Sequence, residues 1–230
     1  MKQQLDIDTY LNHEGFIAYL ESLMPESKKM RISKVLPFRT RHVVTVVENV
    51  LDSNNTNALL RTSEALGIHE AHLVYGNIKY LPQKSVSKGA HLWMDNYNYG
   101  TINVDNALDC INHLKQKGYQ IIITSPNATN NVAHLNIEKP LAICFGQESK
   151  GISQTFMDHA DASICIPQYG FTESYNVAVA AGMILLPLME RLRQSTVNWQ
   201  LSESDKNVVY KKWLLNATEQ LDAHYKRYSM

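Results

Sequence analysis

Two stretches constrain this chain more than any other: Cys144-Phe-Gly-Gln-Glu-Ser-Lys-Gly-Ile-Ser153 and Ile164-Cys-Ile-Pro-Gln-Tyr-Gly-Phe-Thr-Glu-Ser-Tyr-Asn176. Each follows a short apolar run of the kind that reads as a buried strand. Each then sets glycines beside isolated polar side chains. Glycine permits positive φ and close approach of a second backbone or a ligand. The second stretch runs into Val177-Ala-Val-Ala-Ala-Gly182, a helix start of small residues fitted to close packing against other backbone.

The rest of the pattern alternates strands and helices. Val43–Val50 is β-branched and predicts a buried strand. Asn55–Leu66 is helical in pattern, and Ala71–Tyr75 predicts a strand. Val104–Lys117 has an amphipathic spacing closed by Gly118, and Tyr119–Thr124, Leu141–Phe145 and Ala162–Ile166 predict further strands. Ser153 is placed to cap a short helix. Tyr175–Arg193 predicts a helix that Pro187 should kink or shorten, and one last helix is expected over Ser202–His224. Residues 8–35 read as two helices broken at Pro25. Such alternation predicts an α/β fold, a mostly parallel sheet with helices on both faces and ligands at the carboxyl ends of strands. The expected plan is a central domain over 42–195 with helical extensions at 1–41 and 196–230.

Composition narrows the classes. A chain of 230 residues, 44% hydrophobic, can bury a sizeable core. Net charge is +0, so any polyanion surface must come from local segregation. One basic cluster offers it: Lys28, Lys29, Arg31, Lys34, Arg39 and Arg41, either a solvated helix face or a phosphate-contacting surface. No apolar run approaches the ~20 residues of a membrane span, and the N-terminus has no signal-peptide core. Cys110, Cys144 and Cys165 lie in apolar runs without CxxC spacing, which predicts buried thiols in a reducing, cytoplasmic setting. The histidines show no HxxxH or HExxH, so no metal site is expected.

Gly146-Gln-Glu-Ser-Lys-Gly151 is not a P-loop, because Ile152-Ser153 stands where Lys-Ser/Thr is required. No GxGxxG is present either. A ligand held by main chain fits such loops better than a triphosphate. In Asn54-Asn-Thr-Asn-Ala-Leu-Leu-Arg-Thr62, Asn55 is placed to cap the helix and Asn54 to shape its turn. Arg61 is then either a surface arginine or, with Asn55, a polar pair aimed at an RNA phosphate or ribose.

Asn55-x5-Arg61-Thr62, Phe145-Gly-Gln-Glu-x-x-Gly-Ile152 and Ile166-Pro-x5-Glu-Ser-x-Asn-Val-x-Val-Ala180 resemble, in order, the three motifs of the SpoU/TrmH family. These are RNA 2′-O-ribose methyltransferases of the SPOUT superfamily. The resemblance covers about Val43–Arg193. The flanks Arg31–Arg41 and Leu201–Trp213 are similar to the TrmH branch, which methylates a D-loop guanosine of tRNA. The ribosomal-RNA branch usually carries an extra N-terminal module, for which the residues before the first strand are too few.

The resemblance implies S-adenosylmethionine as cofactor, tRNA as substrate, a homodimer, and a deep trefoil knot formed by about residues 140–190. It implies cofactor contacts around Thr124, Gly146, Ile166 and Tyr175, where Tyr175 departs from a common Leu. It implies catalytic or site-organising roles for Arg61, Asn55, Glu148, Ser174 and Asn176, with Asn55 and Arg61 of one subunit near the cofactor of the other. A guanidinium keeps its proton in proteins, so a phosphate clamp is the physically easier role for Arg61. Two alternatives stay open at this level: the same chemistry on ribosomal RNA, and a non-catalytic RNA-binding protein on the same fold.

Overall fold

The structure, a computed structural model, describes residues 7–76, 89–101 and 105–229. Contacts divide it into two compact units, Thr40–Trp199 and the joined terminal segments Met1–Arg39 and Gln200–Met230.

The larger unit is an all-parallel sheet. Its strands are β1 (Val43–Glu48), β2 (Glu70–Val74), β3 (Asp95–Tyr99), β4 (Gln120–Thr124), β5 (Asn130–Asn131), β6 (Leu141–Phe145) and β7 (Ala162–Cys165). They lie in the order β3-β2-β1-β6-β4-β7-β5. β1 and β6 are paired from Val43↔Leu141 to Val47↔Phe145, so the two strands end level. Along β1 the side chains alternate. Val43 and Val47 join a core with Leu59, Leu60, Ile184, Leu185 and Leu188, and Val44 and Val46 join a second core with Ile111, Leu114 and Phe156.

Of the helices in chain order, the sheet unit holds α4 (Ser53–Ala65), α5 (Asn106–Gln116), α6 (Gln154–His159) and α7 (Val177–Gln194). α4 and α7 cover the first face together, and α5 and α6 the second. Ser153 caps α6 as the sequence predicts, its side chain accepting the Phe156 N–H. Gly118 takes positive φ, 85°, after α5; the expected helix start at Val104 lies outside the described residues. Three expectations change. The cap of α4 is Asp52, which accepts the Asn54 N–H at 2.8 Å, so Asn55 is not the cap. α7 continues through Pro187 to Gln194; Pro187 and Met183, whose carbonyl loses its usual helical partner, both lie on a face that nothing else in the chain buries. A Cβ at Gly182 would meet Thr62 Cγ2 at 4.0 Å, an ordinary contact, so close packing within the chain does not require that glycine.

A buried polar cluster ties β2 to β3. The His72 ring stacks on Tyr97 at 4.9 Å, and the Tyr99 hydroxyl lies 3.1 Å from His72 Nδ1 and within hydrogen-bond reach of His113 Nδ1. Burial holds the His72 pKa below the usual histidine range, partly offset by Glu70. Burial also lowers His113, with Lys117 adding to it. Burial works against ionising Glu70, but its hydrogen bond to His72 and the Arg41 guanidinium outweigh it and hold that carboxyl low. The sign follows. Below the unfolded histidine value of about 6.5 the unfolded chain takes up protons that folded His72 and His113 resist, so stability falls with pH. A second loss follows below the ordinary glutamate range, as Glu70 is protonated. The urea midpoint is expected to be lower at pH 5.5 than at pH 7.5; equal midpoints would contradict this.

The smaller unit is helical: α1 (Ile7–Leu11), α2 (Glu14–Leu23), α3 (Glu26–Val35), α8 (Glu203–Asn216) and α9 (Leu221–Tyr228). The single last helix expected over Ser202–His224 is two, because Gln220 adopts a left-handed conformation, φ 53°, between them. Ser202 caps α8 through the Asp205 N–H at 3.1 Å. Rings of Tyr10, Phe16, Tyr225 and Tyr228 pack α1, α2 and α9 together. Tyr210 donates to Glu21 at 2.7 Å across α8 and α2.

Candidate active site

The three sequence motifs meet on the strand-end side of the sheet unit. Asn55 is in the first turn of α4, Glu148 is in the loop after β6, and Asn176 caps α7. Asn55 Nδ2 donates to Glu148 Oε1 at 2.5 Å, and Asn176 Nδ2 donates to Asn55 Oδ1 at 3.0 Å and reaches Glu148 Oε1 at 3.5 Å. Asn176 Oδ1 accepts the N–H groups of Ala178 and Val179 at 3.0 and 3.3 Å. Each amide therefore uses both ends, which fixes its orientation. Asn55 is available for this because Asp52 has taken the cap. The turn before it is held by Thr56, whose hydroxyl donates to the Val50 carbonyl at 3.2 Å and lies 3.0 Å from the Tyr75 hydroxyl.

The loop carrying Glu148 depends on its glycines. Gln147 and Gly151 exchange backbone hydrogen bonds at 3.1 and 2.7 Å, closing a tight turn, and Gly151 has φ 70°. A Cβ on Gly146 would stand 2.4 Å from the Gly151 carbonyl carbon and oxygen and 2.6 Å from Ile152 N. All three are backbone atoms that cannot swing aside. Gly146 is thus a close-approach glycine.

The four residues expected around a cofactor are placed by three neighbouring strands and the loop beyond. β4 pairs with both β6 and β7, so Thr124, Gly146 and Ile166 stand at or just past adjacent strand ends. Thr124 Oγ1 donates to the Cys144 carbonyl at 2.9 Å, and Ser125 N–H bonds the Ile164 carbonyl at 3.0 Å. Tyr175 closes the loop after β7 by donating its hydroxyl to the Pro167 carbonyl at 3.3 Å, a bond that leucine could not make. These ends offer backbone groups and an apolar side chain, a suitable lining for a nucleoside-like ligand.

Two expected site residues stand apart from the network. Arg61 is exposed, makes no hydrogen bond or ion pair among the described residues, and lies six residues beyond Asn55 on α4. At 3.6 residues per turn that is about 120° around the helix, so the two side chains leave α4 in different directions. Ser174 is exposed in the loop before Asn176.

The residues of the expected RNA-contacting cluster differ in burial and in partners. Arg39 is 1% exposed and lies over the Trp213 ring at 5.1 Å, so it is a core residue of the helical unit. Lys28 donates to the Ala217 carbonyl at 3.1 Å, and Lys29 pairs with Glu26 at 2.8 Å. Arg41, in the sheet unit, is ion-paired with Glu70 and, at 3.0 Å, with Asp95. Arg31 and Lys34 are exposed on α3. Among the described residues no group of three His, Cys, Asp or Glu could hold a metal ion, and no helix is long and apolar enough to cross a membrane.

An all-parallel sheet with glycine loops and a network of two amides and one carboxylate on its strand-end side defines an α/β ligand-binding domain of the kind that takes nucleoside cofactors. The chain belongs to the SpoU rRNA Methylase family, whose model matches residues 42–186. It is 36% identical to the tRNA (guanosine(18)-2′-O)-methyltransferase of Borreliella burgdorferi over 192 residues, 83% of this chain and 86% of the relative. It is 33% identical to the enzyme of the same name from Escherichia coli, over 75% of this chain and 73% of the relative. Among solved structures, it is similar to the A. aeolicus TrmH/SpoU tRNA modifying enzyme: TM-score 0.73 and 28% identity, covering 85% of this chain and 98% of that one.

Proposed function

We propose that this protein transfers a methyl group from S-adenosylmethionine to the ribose 2′-OH of guanosine 18 in tRNA, the reaction for which its relatives are named. The observation that carries the proposal is the Asn55–Glu148–Asn176 network, which joins three motifs distant in sequence beside the Gly146 strand end. The close-approach glycine and the backbone-rich strand ends suit a cofactor held by main chain. When bound, S-adenosylmethionine supplies an electrophilic methyl on a sulfonium, so the protein needs neither a metal nor a covalent nucleophile. Gly146, Thr124, Ile166 and Tyr175 would hold it. The network would orient the ribose, and Arg61 would clamp a phosphate so that the 2′-oxygen stands in line. Ser174, one residue from Tyr175, would hold the loop or the nucleotide.

The oligomer and the chain path belong to the same proposal. α7 carries an exposed apolar stripe of Val179, Met183 and Leu186, 54%, 43% and 48% exposed, at the spacing of one helix face. A second copy packing there would form the homodimer. The outward direction of Arg61 suits service to the partner's site. The segment over about 140–190 would be knotted, with α7 following the loop after β7. Arg31 and Lys34 of the helical unit would meet tRNA phosphates. The three free cysteines accord with a reducing, cytoplasmic setting.

The test is label transfer from S-adenosylmethionine to tRNA and to ribosomal RNA in parallel. Incorporation into tRNA is expected. Incorporation into ribosomal RNA alone would move the protein to the alternative substrate, and binding of RNA with no transfer to either would make it a non-catalytic binder.

A further inference from the structure

Glu48 is the last residue of β1, and it is 2% exposed. Strand alternation turns it to the face covered by α5 and α6, away from Val47. There its carboxylate accepts the Ser153 N–H at 2.8 Å. Burial pushes the Glu48 pKa up, while the Ser153 hydroxyl and N–H oppose the rise. A buried carboxylate is costly, and a strand has no need of one; a hydrogen bond at this depth is what makes it tolerable.

The partner is informative. Ser153 is where the loop that begins at Gly146 and carries Glu148 turns into α6. The upstream end of that loop is fixed by the β1–β6 ladder, which runs to Val47↔Phe145. Its middle is pinched by the Gln147–Gly151 pair. Its downstream end is fastened to Glu48. The same strand leads through Val50 and Asp52 to Asn55 on α4. Glu48 therefore ties the loop of one network member to the strand that delivers another.

We infer that Glu48 is a positioning residue for methyl transfer: its hydrogen bond to Ser153 N–H sets the place of the Glu148 carboxylate against Asn55 and Asn176. The inference rests on the proposed methyltransferase function. Gly146, the cofactor residue of this loop, sits at the upstream end held by the β1–β6 ladder, whereas Glu148 lies between that end and the fastening at Ser153. Loss of the fastening should then lower kcat far more than it weakens cofactor binding.

The test uses the full chain, a tRNA transcript and S-adenosylmethionine, with cofactor affinity and stoichiometry from calorimetry. Glu48→Ala is expected to lower kcat about tenfold or more, with cofactor stoichiometry unchanged and Kd within about threefold. Glu48→Gln keeps an acceptor oxygen and should return kcat to within about threefold of the parent. Should Glu48→Ala fail to melt cooperatively, Ser153 supplies a second pair. Its φ of −65° suits proline, so Ser153→Pro replaces the N–H with a ring carbon that displaces the Glu48 carboxylate, and Ser153→Ala keeps the N–H. Ser153→Pro is expected about tenfold below Ser153→Ala in kcat. The inference is overturned by parental kcat in Glu48→Ala, by a Gln variant as impaired as the Ala variant, or by equal rates in the Ser153 pair. If the unmodified protein itself transfers no methyl to tRNA, the proposed function falls, and the assay separates that outcome from these.

Discussion

Arg61→Ala is expected to reduce methyl transfer to tRNA at least about 100-fold, some 2.7 kcal/mol of transition-state stabilisation, while leaving S-adenosylmethionine affinity near normal. The separation follows from geometry. Arg61 is exposed on α4, about 120° around the helix from Asn55, and the cofactor residues lie at the ends of other strands. An exposed side chain outside a packed site costs within about 0.5 kcal/mol of stability when truncated, so lost turnover would not be lost fold. The checking measurement is single-turnover methylation beside calorimetric cofactor binding. Turnover within about tenfold of the parent, a ~1.4 kcal/mol effect, would remove Arg61 from the catalytic group.

Gly146→Ala should act on the opposite side of the reaction. The added methyl would stand 2.4 Å from Gly151 backbone and 2.6 Å from Ile152 N, and neither can rotate away. The Gln147–Gly151 turn must shift or open, taking with it the strand-end backbone and the Glu148 carboxylate. We expect cofactor affinity to fall by at least about tenfold, and stability by about 1–3 kcal/mol, the usual cost of overpacking. Calorimetry and urea unfolding report the two effects. Parental cofactor affinity in Gly146→Ala would mean that this loop does not hold the cofactor.

What could be read in the sequence was local. The strands β1, β4, β6 and β7 announce themselves as short apolar runs, and the site lies at their ends. Ser153 and Gly118 carry their own conformational signal. β3 does not: Asp95-Asn-Tyr-Asn-Tyr99 is poor in strand formers, and its place comes from pairing with β2 and from the stack of Tyr97 on His72. Charge misled in the same way. Arg39 reads as a solvated cation beside other basic residues, but the helical unit buries it against Trp213. The break at Gln220 has no glycine to mark it. Glu48 is hidden inside a run of valines, and only the tertiary fold supplies its partner Ser153. Asn55 is the most instructive case. Its residue type suggested a helix cap, a role filled by Asp52, which left the Asn55 amide to join Glu148 and Asn176.

Transfer of one methyl group to a tRNA ribose is the reaction we propose for this network and the glycine strand end beside it. Its most direct test is mass-spectrometric mapping of a tRNA transcript after incubation with the protein and S-adenosylmethionine. The expected result is a single 2′-O-methyl group on guanosine 18, absent when Arg61→Ala replaces the parent. A methyl group on a base, or transfer to ribosomal RNA with tRNA untouched, would contradict it.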